Sequence, residues 1–431
     1  MSIQERHFKV SANGRYFVDQ DDRPFFYLAD TVWTLFKRLD RSEAEEYLQN
    51  RASKGFTVIQ AYLLRGLEAP NRDGEVTLLG RDPTQLNEAF FENVDFIVNR
   101  ANDLNLVMGI VVSYGEHVIQ AKLDEQIFDE ANAFEFGKIL GERYRGNAVM
   151  WLLGGDRKPL EGIEIWKAMG RGLKKGSRGA HLVSYHGPGG TSSSTWFHQE
   201  EWLDFNTIQS GHRWAVPNYT FVRDDARLAP PKPTLDMEAR YENHPDGANT
   251  ERRMDAHQER EAAYWAVFAG AAGHGYGCND MWQLYDPERL PSGIDKQYFP
   301  WDRLMGNTHW RDAMDFRGAY GMGHMRRLVQ ERWYRMRPDL EVLASPQGEG
   351  EDHVEASIAD DGSFILAYLP FGNPVAICMD RLSGSKVNAR WYDPREGVWL
   401  EIETHSPSGT QMFTPPSRGP QNDWVLVLDA V

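Results

Sequence analysis

Short apolar runs recur along residues 25–280, and each run ends in polar or charged residues. Residues 106–113 (LVMGIVVS) and 148–153 (AVMWLL) are almost continuously apolar. Strands that are covered on both faces have this pattern, because neither face meets water. Between the runs, apolar residues recur at helical spacing, as in residues 88–104. The pattern therefore predicts parallel strands that alternate with amphipathic helices.

The number of repeats indicates the architecture. The predicted strands cover residues 25–28, 57–64, 106–113, 148–153, 181–185, 205–209, 233–242 and 274–277. Eight strands alternating with helices are typical of a (β/α)₈ barrel. A doubly wound open sheet is the alternative, but the glycine-rich phosphate-binding fingerprint is missing after the first strand. In a barrel the carboxyl ends of the strands open on one face, where active sites lie.

The pattern changes near residue 337. Residues 337–431 contain short alternating runs, separated by turn signals such as Asp360-Asp361-Gly362 and Asp393-Pro394. Such runs predict a small antiparallel β-sandwich. We therefore expect a barrel with short N-terminal strands over residues 1–336 and a β-sandwich over residues 337–431.

Composition narrows the class of protein. The 41% hydrophobic and 12% aromatic content is enough for a large core, and the net charge is −16. That charge argues against nucleic acid or an anionic membrane as partner. No apolar stretch approaches the roughly 18 residues of a membrane span. The start MSIQERHFKV has no basic segment followed by an apolar one, so a cytoplasmic location is expected. The two cysteines predict no disulfide framework.

Two predicted strands end in acids. Residues 148–156 finish in Gly-Gly-Asp at Asp156, and residues 233–242 (PTLDMEARYE) carry Asp236 and Glu238 on one face of an extended chain. Unpaired buried carboxylates are costly, so something polar should meet them. Strands four and seven lie across the barrel, so Asp156 and Glu238 can face each other at its mouth.

A facing pair of carboxylates suits cleavage of a glycosidic bond, in which one group protonates the leaving oxygen and the other attacks or stabilises the anomeric carbon. Asp156 could instead cap a helix, and Glu238 could pair with Arg240 or Arg65. Asp236 is a competing nucleophile, but it lies deeper in the strand.

Other polar and aromatic residues lie at or just after strand ends and are candidates for substrate binding. They are Asp30, Trp33, Arg65, His186, Trp196, His212, Asp236, Tyr241, Asn279 and Trp282. Tryptophans at these positions could stack on sugar rings. Asp30, Arg65, His212 and Asn279 are expected to contact substrate hydroxyls or to orient the two acids. Arg65 and Asn279 are the expected donors to Glu238.

A metal site is a second hypothesis. His117, His186 and His212 could gather with Asp156 and Glu238 around a zinc ion. The sequence has neither His-x-His nor HExxH, so we expect no metal and no cofactor. A carbohydrate-binding protein without activity, on the same scaffold, is the rival from another class.

Six segments in order resemble the apiosidase-like glycoside hydrolases (glycoside hydrolase family 140). They are LADTVW (28–33), MWLLGGD (150–156), SSSTWFH (192–198), WLDFNTIQSGH (202–212), LDMEARYE (235–242) and HGYGCNDMWQ (274–283). The tail at 413–429 is similar to the end of the β-sandwich of collagen-binding type that accompanies this family.

The resemblance implies a retaining, exo-acting glycosidase with Asp156 as acid/base and Glu238 as nucleophile. It implies a terminal sugar such as apiose, released from plant glycosides or pectic oligosaccharides. A carbohydrate is therefore the expected partner, and no oligomeric state is predicted.

Overall fold

Parallel strands surrounded by helices make up the larger part of the protein. The computed structural model describes residues 7–119, 126–247, 249–290 and 306–431. Its strands up to residue 278 are β1 (Lys9–Val10), β2 (Phe17–Val18), β3 (Pro24–Phe25), β4 (Tyr27–Thr31), β5 (Val58–Leu64), β6 (Val107–Ser113), β7 (Val149–Gly154), β8 (Val183–His186), β9 (Thr191–Ser192), β10 (Asn206–Gln209), β11 (Thr234–Asp236), β12 (Tyr241–Glu242) and β13 (Gly273–Cys278).

The α-helices flank these strands. They are α1 (Leu35–Arg38), α2 (Arg41–Lys54), α3 (Glu88–Asp103), α4 (Glu130–Arg143), α5 (Ile163–Ser177), α6 (Ser194–Phe197), α7 (Asn218–Asp225), α8 (Ala256–Phe268), α9 (Asn279–Trp282), α10 (Trp310–Ala313) and α11 (Arg317–Val329). In the part of the chain described, no helix is long and apolar enough to cross a bilayer.

Eight parallel strands form the predicted (β/α)₈ barrel, which is nearly closed. The order is β8-β7-β6-β5-β4-β13-β11-β10, with β9 antiparallel against the free edge of β10. Because β9 occupies that edge, side chains join β8 to β10. Ser184 Oγ donates to the Phe205 carbonyl at 2.6 Å, and Thr207 Oγ1 donates to the Tyr185 carbonyl. We call this junction the β8–β10 seam.

Polar groups inside the barrel are paired with each other. The Tyr27 hydroxyl donates to Gln60 Oε1 at 2.9 Å, and Gln60 Nε2 donates to Thr31 Oγ1 and to the Met237 carbonyl. This network fixes β4 and β5 against the segment that follows β11. Phe17 of β2 packs edge-on against Phe205, so the small N-terminal sheet covers the end of the barrel opposite its mouth.

An antiparallel sheet follows the barrel. Its strands are β14 (Met336–Pro338), β15 (Glu355–Ala359), β16 (Phe364–Leu369), β17 (Val375–Cys378), β18 (Val387–Asp393), β19 (Val398–His405), β20 (Thr410–Phe413) and β21 (Trp424–Ala430). The six-stranded sheet has the order β14-β15-β16-β21-β18-β19, and β17 pairs with β20. Residues between the two sheets form an apolar core of their own, around Ile377 and Leu426.

Helix α8 lies between the barrel and this second domain. Every residue of α8 is buried. Tyr264 stacks on Tyr368 of β16 with ring centroids 4.7 Å apart, and Arg260 forms a two-pronged ion pair with Asp423. The barrel core therefore continues into one face of the β-sandwich.

Candidate active site

Asp156 reaches the barrel mouth through a strained turn. Gly154, Gly155 and Asp156 have φ values of 86°, 129° and 50°, a region that favours glycine. A Cβ on Gly154 would lie 2.3 Å from the His186 carbonyl oxygen, so the chain passes too close there for any side chain. The turn directs Asp156 toward Tyr114, whose hydroxyl donates to Asp156 Oδ2 at 2.9 Å. Asp156 Oδ1 is buried without a partner among the described residues.

Glu238 lies just past the end of β11, where the chain bends. His186 Nε2 is 2.7 Å from Glu238 Oε2, and His212 Nε2 is 3.4 Å from Oε1. Burial alone would raise the pKa of Glu238, but the two histidines hold it well below its ordinary value. The two histidines therefore favour the ionised form of Glu238.

The two acids face each other. The nearest ligand atoms of Asp156, His186 and Glu238 all lie within 4.8 Å of one another. Glu238 Oε2 is 2.7 Å from the His186 nitrogen but out of line with its ring N–H, so this contact is an ion pair and Oε2 has no aligned donor. Each acid thus has one buried oxygen available to a substrate.

His186 connects the two carboxylates. Its Nδ1 lies 2.9 Å from the Gly187 carbonyl, which can only accept, so Nδ1 carries the hydrogen. Burial lowers the pKa of His186, but Glu238 and Asp156 outweigh it, and the pKa lies above its ordinary value. The two carboxylates therefore favour the imidazolium form of His186.

Aromatic side chains surround the acids. Trp33 Nε1 donates to the Tyr241 hydroxyl at 3.1 Å, and its ring lies 4.6 Å from Tyr62 and 5.5 Å from His186. Burial and the Glu238 carboxylate raise the pKa of Tyr241 well above its ordinary value, so it stays a donor beside the acid. Trp33, His186, His212 and Tyr241 thus lie together around Asp156 and Glu238.

Two predicted site residues face away from the mouth. Asp30 is fully buried, and its carboxylate accepts from Arg51 Nε at 2.7 Å and from Tyr47, both on α2. Asp236 accepts from Ser210 Oγ and from Asn218 Nδ2 on α7, each at 2.8 Å, and burial raises its pKa to about 6. Asp30 and Asp236 were predicted to contact the substrate, but helix residues on the outside of the barrel bind their carboxylates. Both fix strands to the outer helices.

The remaining candidates lie at or just after strand ends, as predicted. Arg65 stacks over Tyr114, 4.3 Å from its ring centroid, on the Asp156 side. Asn279 and Trp282 are both on α9, where Trp282 Nε1 donates to Asn279 Oδ1 at 3.4 Å. Thr34 Oγ1 donates to the Trp282 carbonyl. Trp196 packs against Tyr185 beside the loop after His186. The expected donors to Glu238 were Arg65 and Asn279, but its ion-pair partners are His186 and His212.

Tyr62 and Tyr114 were not among the predicted site residues. The Tyr62 hydroxyl is buried without a partner among the described residues, and burial followed by Asp156 raises its pKa well above the ordinary value. Tyr62 shares the inward face of β5 with Gln60, so period-two alternation from Gln60 could have found it. Tyr114 directly follows β6, a position that the strand-end argument covers.

The cluster of Asp156, His186 and Glu238 offers three possible ligands to a metal ion. Ligand atoms about 2.0–2.1 Å from a tetrahedral zinc are about 3.4 Å apart. His186 Nε2 and Glu238 Oε2 are 2.7 Å apart, which is the spacing of a direct ion pair. The three residues as placed do not fit a zinc ion.

Comparison with known proteins agrees with the fold of both domains. A family model described as the apiosidase-like catalytic domain matches residues 11–335, and one described as the putative collagen-binding domain of a collagenase matches residues 337–429. No match is found among curated proteins.

Solved structures agree over the whole chain. A protein described as a glycoside hydrolase has 29% identity and a TM-score of 0.90, covering 100% of this chain and 98% of its own. A glycoside hydrolase family 5 protein from Bacteroides vulgatus ATCC 8482 has 29% identity, a TM-score of 0.90 and coverages of 100% and 95%. A family 5 mannosidase from Rhizomucor miehei, at 12% identity and a TM-score of 0.55 with coverages of 77% and 99%, shares the fold alone.

A (β/α)₈ barrel with two facing carboxylates at its mouth, matched by such structures, defines a glycoside hydrolase. The chain belongs to the apiosidase-like family, as the resemblance implied, and carries the accompanying β-sandwich domain.

Proposed function

We propose that the protein is a retaining, exo-acting β-glycosidase, with Glu238 as nucleophile and Asp156 as acid/base. The observation that carries this proposal is the separation of the two carboxylates, within 4.8 Å between their nearest oxygens. Retaining pairs lie about 5–5.5 Å apart, whereas inverting pairs lie about 6.5–9.5 Å apart to admit a water molecule. The narrow gap supports direct attack by a carboxylate.

Glu238 has the properties of a nucleophile. It is ionised, and its Oε2 has no aligned hydrogen-bond donor. In the first step Oε2 forms a bond to the anomeric carbon while the bond to the leaving oxygen breaks. His186 and His212 hold the carboxylate in place for this attack.

Asp156 supplies and removes the proton. Its Oδ2 accepts from Tyr114, so Oδ1 is left to hold the proton and give it to the leaving oxygen. In the second step a water molecule attacks the glycosyl-enzyme, Asp156 takes the proton, and Glu238 is released.

Substitution of the two acids tests these roles with para-nitrophenyl glycosides and oligosaccharides. Glu238→Gln should abolish turnover of every substrate. Asp156→Ala should lose about 10²–10⁴-fold on an oligosaccharide, the usual contribution of acid catalysis, and less on the aryl glycoside, whose leaving group needs no proton. Proton NMR should find retained configuration in the first product. An inverted first product, or a Glu238→Gln variant with normal turnover, would contradict the assignment.

The terminal sugar is proposed to be apiose or a sugar of similar shape. The support is the match of residues 11–335 to the apiosidase-like model, and the substrates would be plant glycosides or pectic oligosaccharides. A panel of apiosides, arabinosides, mannosides and glucosides with one common leaving group tests this. The highest kcat/KM should be on the apioside, and a clear preference for another sugar would refute the specificity.

A further inference from the structure

A groove of about 1100 Å³ lies on the far side of His212 from Glu238 and extends to the second domain. Its walls are the loop at 209–217 after β10, the loop around Asp246, and Glu351 of the second domain. The groove starts at His212, which also contacts Glu238. The groove therefore begins one side chain away from the nucleophile.

Two buried polar atoms line the start of the groove. Gln209 is only 7% exposed, and its Oε1 has no hydrogen-bond partner among the described residues. His212 Nδ1 is likewise buried without a partner there. Leaving such buried groups unpaired is unfavourable, and a ligand that brings hydroxyls would satisfy them.

Trp214 presents an aromatic surface farther along. The indole is partly buried and lines the groove, and the Arg252 guanidinium lies 4.1 Å from its ring centroid. Asp246 accepts from Arg252 at 2.7 Å and from the Trp214 backbone N–H at 3.2 Å. Arg252 is thus neutralised by Asp246, and the pair fixes the orientation of the indole.

We propose that this groove is a leaving-group subsite that binds the second sugar ring of an oligosaccharide. This inference rests on the proposed function. In an exo-acting enzyme the terminal sugar occupies the closed end, here between the acids and Trp33, and the rest of the chain leaves through the open side. The second ring would stack its apolar face on Trp214 and give hydroxyl groups to Gln209 and His212.

The test compares two substrates with the same terminal sugar. Methyl apioside releases methanol and does not reach Trp214, whereas an apiosyl-glucose disaccharide places a ring there. Trp214→Ala should lower kcat/KM for the disaccharide about tenfold more than for the methyl glycoside, as expected for one lost stacking contact. Gln209→Met should likewise lower kcat/KM more for the disaccharide than for the methyl glycoside.

The chain offers a matched control. Trp399 on β19 of the second domain is 39% exposed, has Arg390 stacked 4.3 Å from its ring centroid, and does not line the groove. Trp399→Ala should leave kcat/KM unchanged for both substrates. Equal effects of Trp214→Ala on both substrates, or no effect on either, would overturn the subsite.

A second experiment separates a protein without glycosidase activity from a groove that does not bind sugar. If the wild-type protein hydrolyses neither glycoside, the disaccharide is titrated calorimetrically into wild type and Trp214→Ala. Binding that is about tenfold weaker in the variant would support the groove as a sugar site without catalysis. Equal binding, or none, would refute it.

Discussion

The ion pair between Arg260 and Asp423 should hold the two domains together as one unfolding unit. Arg260 Nε and Nη2 donate to the two Asp423 oxygens at 2.9 and 2.8 Å, and Tyr368 donates to the same carboxylate at 3.2 Å. The Asp423 side chain is fully buried, and the Arg260 side chain is 6% exposed. Burial would raise the pKa of Asp423, but Arg260 and His257 hold it well below its ordinary value.

The cost of breaking this pair follows from its burial. Asp423→Leu leaves the Arg260 charge buried without a partner, and losing one member of such a pair costs about 3–5 kcal/mol. For 431 residues the unfolding entropy is about 0.9 kcal/mol per kelvin, so the melting temperature should fall by about 3–6 °C. Replacing both residues, as Arg260→Met with Asp423→Leu, should cost less than the sum of the single changes because no charge is left behind.

Differential scanning calorimetry is the assay, with Arg332→Met as control. Arg332 pairs with Asp429 of β21 across the same domain boundary, but both side chains are 21% exposed. This pair is less buried than Arg260–Asp423, and Asp429 keeps Arg390 as a partner at 2.7 Å, so the control should shift the transition little. Single Asp423 variants that lose less than about 1 kcal/mol would refute the reasoning, as would a second domain that melts in its own transition.

Three further predictions concern the site and the second domain. The stability difference between wild type and His186→Gln should be largest between pH 4.5 and 6.5, the ordinary pKa values of Glu and His. It should shrink at higher pH as His186 loses its proton and at lower pH as Glu238 gains one, and a flat difference would contradict the ion pair. Turnover should be unaffected by EDTA, whereas loss restored by zinc would show that a metal is required. The protein should not bind collagen, because the second domain packs against α8 of the barrel and serves to support it. Saturable binding to immobilised collagen would overturn this expectation.

The sequence predicts the barrel and the acid pair well because both depend on local patterns. Apolar runs mark β6 and β7 almost to the residue, and Gly-Gly-Asp marks the turn that presents Asp156. Glu238 follows from its place after the seventh strand of the barrel. These signals need no knowledge of distant contacts.

The orientation of side chains at strand ends is harder to predict. Both faces of a barrel strand are buried, so alternation alone does not distinguish the mouth from the helix layer. Asp30 and Asp236 therefore looked like site residues, although their partners are on α2 and α7. Strand alternation predicted that Glu238 and Asp236 share one face. Because the chain bends at Glu238, the two side chains have different surroundings: Glu238 contacts His186, whereas Asp236 binds Asn218 on α7.

No local pattern in the sequence predicts that α8 is buried. Its Glu259, Arg260 and Glu261 are typical of a solvated helix face, yet all three are buried. The partner of Arg260 is Asp423, which lies 163 residues away along the chain. Contacts of that separation become visible only when the second domain is placed on the barrel.

The β8–β10 seam gives the barrel an uneven resistance to opening. Separating β5 from β6 breaks a ladder of paired residues, whereas separating β8 from β10 breaks side-chain hydrogen bonds in place of a ladder. Amide hydrogen exchange should accordingly be faster in β8 and β10 than in β5 and β6. His186 ends β8 and His212 follows β10, so the two histidines that hold Glu238 lie on opposite sides of the seam. Opening there would pull them apart, and the ionised state of the nucleophile thus depends on how tightly the barrel is closed.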